Sequence, residues 1–107
     1  MKPELQVLPL NSWIETNGKP LIIAGPCSAE TEEQLCETAR QLKELGEVHV
    51  IRGGVWKPRT RPGSFEGMGK AALPWIQRAK AETGMPFAVE VATPEHIELA
   101  LEAGVDI

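Results

Sequence analysis

The stretch LIIAGPCSAETEEQLCETARQLKELGEVHVIRGG, residues 21–54, decides the fold. Leu21–Ala24 is a short β-rich run closed by Gly25-Pro26. From Thr31 to Leu45 the apolar residues Leu35, Ala39, Leu42 and Leu45 recur at helical spacing. Thr31 and Gln34 stand at capping-box spacing, in which the hydroxyl accepts from one orphan amide and the glutamine reaches back to another. Gly46 is a natural helix stop, and Val48–Ile51 is the next strand, ended by Gly53-Gly54. Strand, helix and strand in this order make a parallel pair joined by a right-handed crossover.

The same pattern continues outward. Residues 53–70 form a long loop rich in Gly, Pro and Arg, and a second helix runs from about Ala71 or Pro74 to Thr83. Pro74 is tolerated only in the first turn, which sets the start. Gly84 and Pro86 break the helix, and Phe87–Val91 is the third strand. Thr93-Pro94 opens a third helix as N-cap and first residue, with Ile97, Ala100 and Leu101 on one face. Gly104 ends it, and Val105–Ile107 begins a fourth strand. The expected fold class is α/β, built of parallel β/α units. A (β/α)8 barrel takes about 250 residues. The chain would supply a little under half of one, whereas an open doubly wound sheet usually has about five or six strands and four would be thin, so the chain is expected to be the front part of something larger. Residues 1–20 lie outside the repeat and are expected to form an arm or hairpin turning at Asn17-Gly18.

Composition narrows the function classes. The 107 residues carry 15 Asp+Glu against 11 Lys+Arg, a formal net charge of −4, which argues against a general nucleic-acid binder. Apolar residues are 42% and charged residues 24%, as in a globular rather than a disordered chain. No apolar run approaches the ~20 residues of a membrane span. The N-terminal residues hold no continuous apolar signal segment, so neither membrane insertion nor secretion is expected. Two cysteines are too few for a disulfide scaffold, and a cytoplasmic location is expected.

Three features could carry chemistry. Cys27 follows the first strand, at the end where parallel α/β proteins build their sites, and precedes a helix N-terminus that favours a thiolate. It reads either as metal ligand or nucleophile, or as a small buried hydrophobe. Cys36, mid-helix beside the apolar face, reads as core filler. The second feature follows strand two: Arg52, Lys57, Arg59 and Arg61 make four cations in ten residues with no acid among them. Arginine forks grip carboxylate or phosphate, lysine adds a point charge, and Gly53-Gly54 lets backbone approach a ligand. The alternative is a solvated loop. The third is Glu90, an acid between Val89 and Val91, which is a site residue, an outward-facing strand-end residue, or a partner in an ion pair with a neighbouring Arg or Lys. His49 and His96 read as structural or exposed, and Trp13, Trp56 and Trp75 as packing or loop anchors. Neither a zinc spacing nor a glycine-rich nucleotide motif occurs.

IIAGPCSAE at 22–30, RGGVWKPRTRPGSFEGMG at 52–69 and EVATPEH at 90–96 closely resemble 3-deoxy-D-arabino-heptulosonate 7-phosphate (DAHP) synthase. They resemble the branch that is also similar to 3-deoxy-octulosonate 8-phosphate synthase. KPRT at 57–60 separates the two, since the octulosonate enzymes carry a KANRS-like segment there. The resemblance implies a (β/α)8 TIM barrel, of which residues 21–107 would be the N-terminal half, truncated in its fourth strand, and a transferase of the shikimate pathway, the entry to aromatic amino-acid biosynthesis. Such an enzyme condenses phosphoenolpyruvate with erythrose 4-phosphate and requires a divalent metal ion, manganese or similar. Carried onto this chain, the resemblance makes Cys27 the metal-binding cysteine. Arg52 and Lys57 become the holders of phosphoenolpyruvate, and Pro58, Arg59 and Thr60 the segment that receives erythrose 4-phosphate. Glu90 becomes an active-site acid, catalytic together with Lys57. Arg61 stands where relatives often have Ser or Thr. The family's other metal ligands, a His, a Glu and an Asp, belong to later strands, and neither His49 nor His96 matches that His. These 107 residues alone are therefore expected to be inactive, and a homo-oligomer is expected because a half-barrel leaves open sheet edges. The alternatives are a non-catalytic anion-binding half-barrel and a related 3-deoxy sugar-phosphate synthase using another aldose phosphate.

Overall fold

The computed structural model of the protein describes residues 4–57 and 59–107. Three short parallel strands, β1 (Ile23–Ala24), β2 (Val50–Arg52) and β3 (Phe87–Ala88), form one sheet in the order β1-β2-β3. Ile23 pairs with Val50 and Ile51 with Phe87. Between the strands run helices α1 (Glu32–Leu45) and α2 (Leu73–Thr83), and α3 (Pro94–Glu102) follows β3. The α/β class and the parallel crossovers are as the sequence predicts.

Both ends of α1 form as its residues dictate. Thr31 Oγ1 accepts from the Gln34 amide at 3.0 Å, and Gln34 Oε1 accepts from the Glu30 amide at 2.8 Å and the Thr31 amide at 3.5 Å. Gly46, at φ 75°, closes the helix in the left-handed region that glycine enters without a Cβ penalty. A short 3-10 turn over Gly69–Ala72 leads into α2, which places Pro74 in the first turn, where its missing amide is harmless.

The strands are shorter than the apolar runs suggest. β3 ends at Ala88, so Glu90 lies beyond the strand rather than inside it. Val105–Ile107 is not a paired strand; it runs beside β3, with the Ile107 amide donating to Phe87 O at 3.1 Å and the Val89 amide to Ile107 O at 3.0 Å. In α3 only Ala100 is buried. Ile97 and Leu101, expected on the core face, are exposed because no described element packs over that side of the helix.

Side-chain alternation splits the sheet into two faces. Ile51 and Phe87 face α1 and α2 and join Leu35, Cys36, Ala39, Val55, Leu73, Ile76 and Ala79 in the main core. Burial raises the Cys36 thiol pKa, as suits a packing residue. Val50 and Ala88 face the other way, with Ile14 from the N-terminal arm. Arg52, two residues after Val50, shares that second face at the C-terminal end of β2. In the arm, Asn17 (φ 54°) and Gly18 (φ 77°) make a tight turn closed by the Lys19 amide on Thr16 O at 3.0 Å. No strand pairing occurs among described residues 4–20.

Across the seam of α1 and α2 runs a ladder of alternating charges. Arg40 reaches Glu82 at 2.8 Å and Glu37 at 2.6 Å, and Arg78 reaches Glu32 and Glu82 at 3.0 Å each. Their arginine partners hold the Glu37 and Glu82 carboxyls below the usual range. No helix among the described residues is long and apolar enough to cross a membrane.

Candidate active site

The site forms where the C-terminal ends of β1, β2 and β3 open into their loops. Two glycines let the first two ends touch. A Cβ on Gly25 would fall 1.9 Å from Arg52 O, and one on Gly54 would fall 2.0 Å from Cys27 O. Only a residue without a Cβ fits either place. The Ala29 amide donates to Gly54 O at 2.8 Å and pins the Cys27–Ala29 segment against the start of the second loop. Gln34 adds a clip from α1, its Nε2 donating to Ser28 O at 3.2 Å. Ser28 Oγ is buried with no hydrogen-bond partner among the described residues.

The long loop after β2 folds back on itself. The Lys57 amide donates to Glu66 O at 2.7 Å, the Gly69 amide to Val55 O at 2.8 Å, and Arg59 Nε to Phe65 O at 2.9 Å. A Cβ on Gly67 would lie 2.2 Å from Val55 O, so this close return also demands glycine. The loop is thus a built structure, and it aims Lys57 inward.

Lys57 is 7% exposed, rare for a lysine, because burying an ammonium costs several kcal/mol unless it is paired. Its Nζ donates to Glu90 Oε1. That hydrogen bond outweighs desolvation and, helped by the Cys27 sulfur, holds the Lys57 pKa above the ordinary lysine value. Glu90 is correspondingly held below the carboxylate range, first by Lys57 and then by the fields of Arg52 and Arg59. These interactions set Cys27, Arg52, Lys57, Arg59 and Glu90 near one another around the open strand ends, while the cavity that Lys57 itself lines is shared with Trp56, Glu66, Ala92 and His96. Cys27 itself is exposed. Thr60 and Arg61 are exposed further out, and Pro58 lies outside the described residues. Among the described residues no carboxylate forms a close ion pair with Arg52, Arg59 or Arg61.

Sequence reasoning missed one contact. The Trp56 indole stacks on the His96 imidazole, with ring centroids 4.2 Å apart and planes 9° from parallel. His96 Nδ1 accepts from the Ala92 amide at 3.1 Å, and its own amide donates to Thr93 Oγ1 at 3.2 Å. The rings are 40 positions apart in sequence, and no periodicity links them.

The described residues hold no cluster of three or more His, Cys, Asp or Glu that could take a metal ion. Cys27 is a single thiol donor and Glu90 is committed to Lys57, whereas structural and catalytic metal sites take three or four protein donors. These residues do not by themselves make a metal site.

Clustered cations, one of them a buried lysine paired with Glu90, thus stand at the strand ends of a parallel α/β sheet. Residues 6–105 match the model of the DAHP synthetase I family, and the chain belongs to that family. It is 48% identical over 88 residues to a phospho-2-dehydro-3-deoxyheptonate aldolase of Thermotoga maritima, covering 82% of this chain and 26% of the relative. A 2-dehydro-3-deoxyphosphooctonate aldolase of Caulobacter vibrioides is 34% identical over 95 residues, covering 81% of this chain and 33% of that one. The crystal structure of the Thermotoga DAHP synthase superposes with a TM-score of 0.73 at 42% identity, over 92% of this chain and 28% of that chain. The chain thus spans between a quarter and a third of the length of these relatives.

Proposed function

We propose that this chain is the N-terminal part of a (β/α)8-barrel DAHP synthase, and that its strand-end hollow binds phosphoenolpyruvate. The observation that carries this reading is the buried Lys57 ammonium, kept charged by Glu90 and flanked by Arg52 and Arg59. Phosphoenolpyruvate brings a phosphate and a carboxylate, and Arg52, Lys57 and Arg59 outnumber Glu90, the acid on which they act. In the reaction, the enol carbon of phosphoenolpyruvate bonds to the aldehyde carbon of erythrose 4-phosphate. Water adds to the resulting cationic centre and inorganic phosphate leaves. Lys57 and Arg52 hold the phosphoenolpyruvate anion, and Glu90 keeps the Lys57 proton in place until that anion arrives. Pro58, Arg59 and Thr60 receive the sugar phosphate. Cys27 would offer one thiol to a divalent metal ion, which would need further donors from outside these residues and would supply Lewis-acid polarisation of the aldehyde. With so partial a site, the 107 residues alone yield no product from the two substrates.

A specific observation favours a second reading. The octonate-type relative is similar over nearly as much of the chain. Adding the three carbons of phosphoenolpyruvate to a four-carbon aldose phosphate gives a seven-carbon product, and to a five-carbon one gives eight. The higher identity to the heptonate-type relative, and KPRT at 57–60, support the four-carbon sugar. The test is calorimetric titration of the protein with phosphoenolpyruvate, as wild type and as Lys57→Ala. Loss of the desolvated, charge-assisted contact is expected to weaken binding by about 2–3 kcal/mol. Equal affinity would remove Lys57 from the site and the reading with it.

A further inference from the structure

Lys57 and Glu90 sit on different loops, and a pair between loops is only as well placed as the loops themselves. Among the described residues, two side-chain contacts join the β2 loop to the segment after β3. One is the Lys57–Glu90 pair, and the other is the stack of Trp56 on His96. They are adjacent at both ends: Trp56 precedes Lys57, and His96 hydrogen-bonds the amide of Ala92, two residues after Glu90. Together they close a ring running Lys57, Glu90, Ala92, His96, Trp56 and back to Lys57.

The stack is preorganised from both sides. Trp56 is partly buried against the main core. His96 is held in the first turn of α3 by two hydrogen bonds, so its ring meets the indole without first being ordered. Beside the rings lies a cavity of about 150 Å³ lined by Trp56, Lys57, Glu66, Ala92 and His96. That room would let an unanchored Lys57 swing away from Glu90.

We propose that the Trp56–His96 stack is a clamp that positions Lys57, holding the β2 loop against the start of α3 so that the ammonium stays aimed at the strand-end hollow. Trp56 and His96 are then positioning residues. Their part in anion binding rests on the reading above, while their hold on the loop does not.

The test separates ring from hydrogen bond. His96→Asn keeps an acceptor for the Ala92 amide but loses the ring. His96→Phe keeps a ring and loses the acceptor, and water can satisfy the exposed Ala92 amide. Hydrogen exchange of the Lys57 amide, which is bonded to Glu66 O, reads the closure of the loop. In His96→Asn it is expected to exchange about tenfold faster, the upper end of what an aromatic pair contributes, while the Ala39 amide in α1 is unchanged. His96→Phe should return the wild-type rate, and Trp56→Leu should behave as His96→Asn. Phosphoenolpyruvate affinity should fall by a similar factor in His96→Asn and be retained in His96→Phe.

An unchanged Lys57 rate in His96→Asn overturns the proposal, as does equal acceleration in His96→Phe. Acceleration of Ala39 in step, or loss of fold in either His96 variant, also overturns it, because His96 would then serve the whole fold. If the wild-type chain binds no phosphoenolpyruvate, the functional reading fails while the exchange rates still decide the clamp.

Discussion

The seam between α1 and α2 and the hollow at the strand ends are both rich in arginine, yet they use charge in opposite ways. On the seam, Arg40 and Arg78 meet Glu32, Glu37 and Glu82, so each cation is matched and the side chains stay in contact with water. At the strand ends, Lys57 pairs with Glu90, Arg52 and Arg59 act on the same carboxylate without a close pair of their own among the described residues, and the most buried charge is a lysine. Matched, solvated charge supports a fold weakly, since exposed pairs are worth at most about 1 kcal/mol each. Unmatched charge beside a buried ammonium is a poor way to stabilise a fold and a good way to wait for an anion.

Substitutions can break this contrast. The largest effect is expected from Gly54→Ala. Its Cβ would meet the Cys27 carbonyl oxygen at 2.0 Å, so the loop must move, and urea unfolding should show a loss of about 3 kcal/mol or more. Next comes Lys57→Ala, with the loss of affinity given above. Its urea midpoint should change little or rise, because the half-exposed Glu90 left behind is readily hydrated.

Glu90→Gln should have an intermediate effect that depends on pH. The Glu90 pKa is depressed, so its contribution is present above the ordinary carboxylate range and fades as pH falls through the folded value. The Lys57 pKa is raised, so its contribution is present below the ordinary lysine range and fades as pH climbs through the folded value. Wild type and Glu90→Gln should therefore differ most, by about 1 kcal/mol once Glu90's exposure is discounted, across the plateau between those limits. Thermal melts at several pH values would show the two curves converging at both ends. The smallest effect is expected from Arg40→Ala, which should leave the urea midpoint nearly unmoved and phosphoenolpyruvate affinity unchanged, because exposed pairs are well solvated. A large loss of affinity in Arg40→Ala would erase the distinction between seam and hollow.

Much of this was legible in the sequence, and local chemistry explains which parts. The ends of α1 were readable because Thr31, Gln34 and Gly46 act within one helical turn of themselves. That Cys27, Arg52, Lys57 and Glu90 lie at neighbouring strand ends was legible because parallel strands gather their C-terminal ends, whereas the Lys57–Glu90 contact itself depends on how two loops fold. Strand lengths were not readable: Val89 and Val91 look like strand residues, but pairing partners, not propensity, set where a strand ends. The exposure of Ile97 and Leu101 was hidden because periodicity shows that a helix has an apolar face, not what covers it. The Trp56–His96 stack was hidden because two loops meet only once the sheet has formed.

The most direct measurement is an amide chemical-shift map of the protein as phosphoenolpyruvate is added. The account predicts shifts at Ser28, Ala29, Gly53, Gly54 and Lys57, with the α1–α2 seam around Arg40 and Arg78 undisturbed. Shifts centred on the seam, or no response at the strand ends in a folded chain, would contradict it.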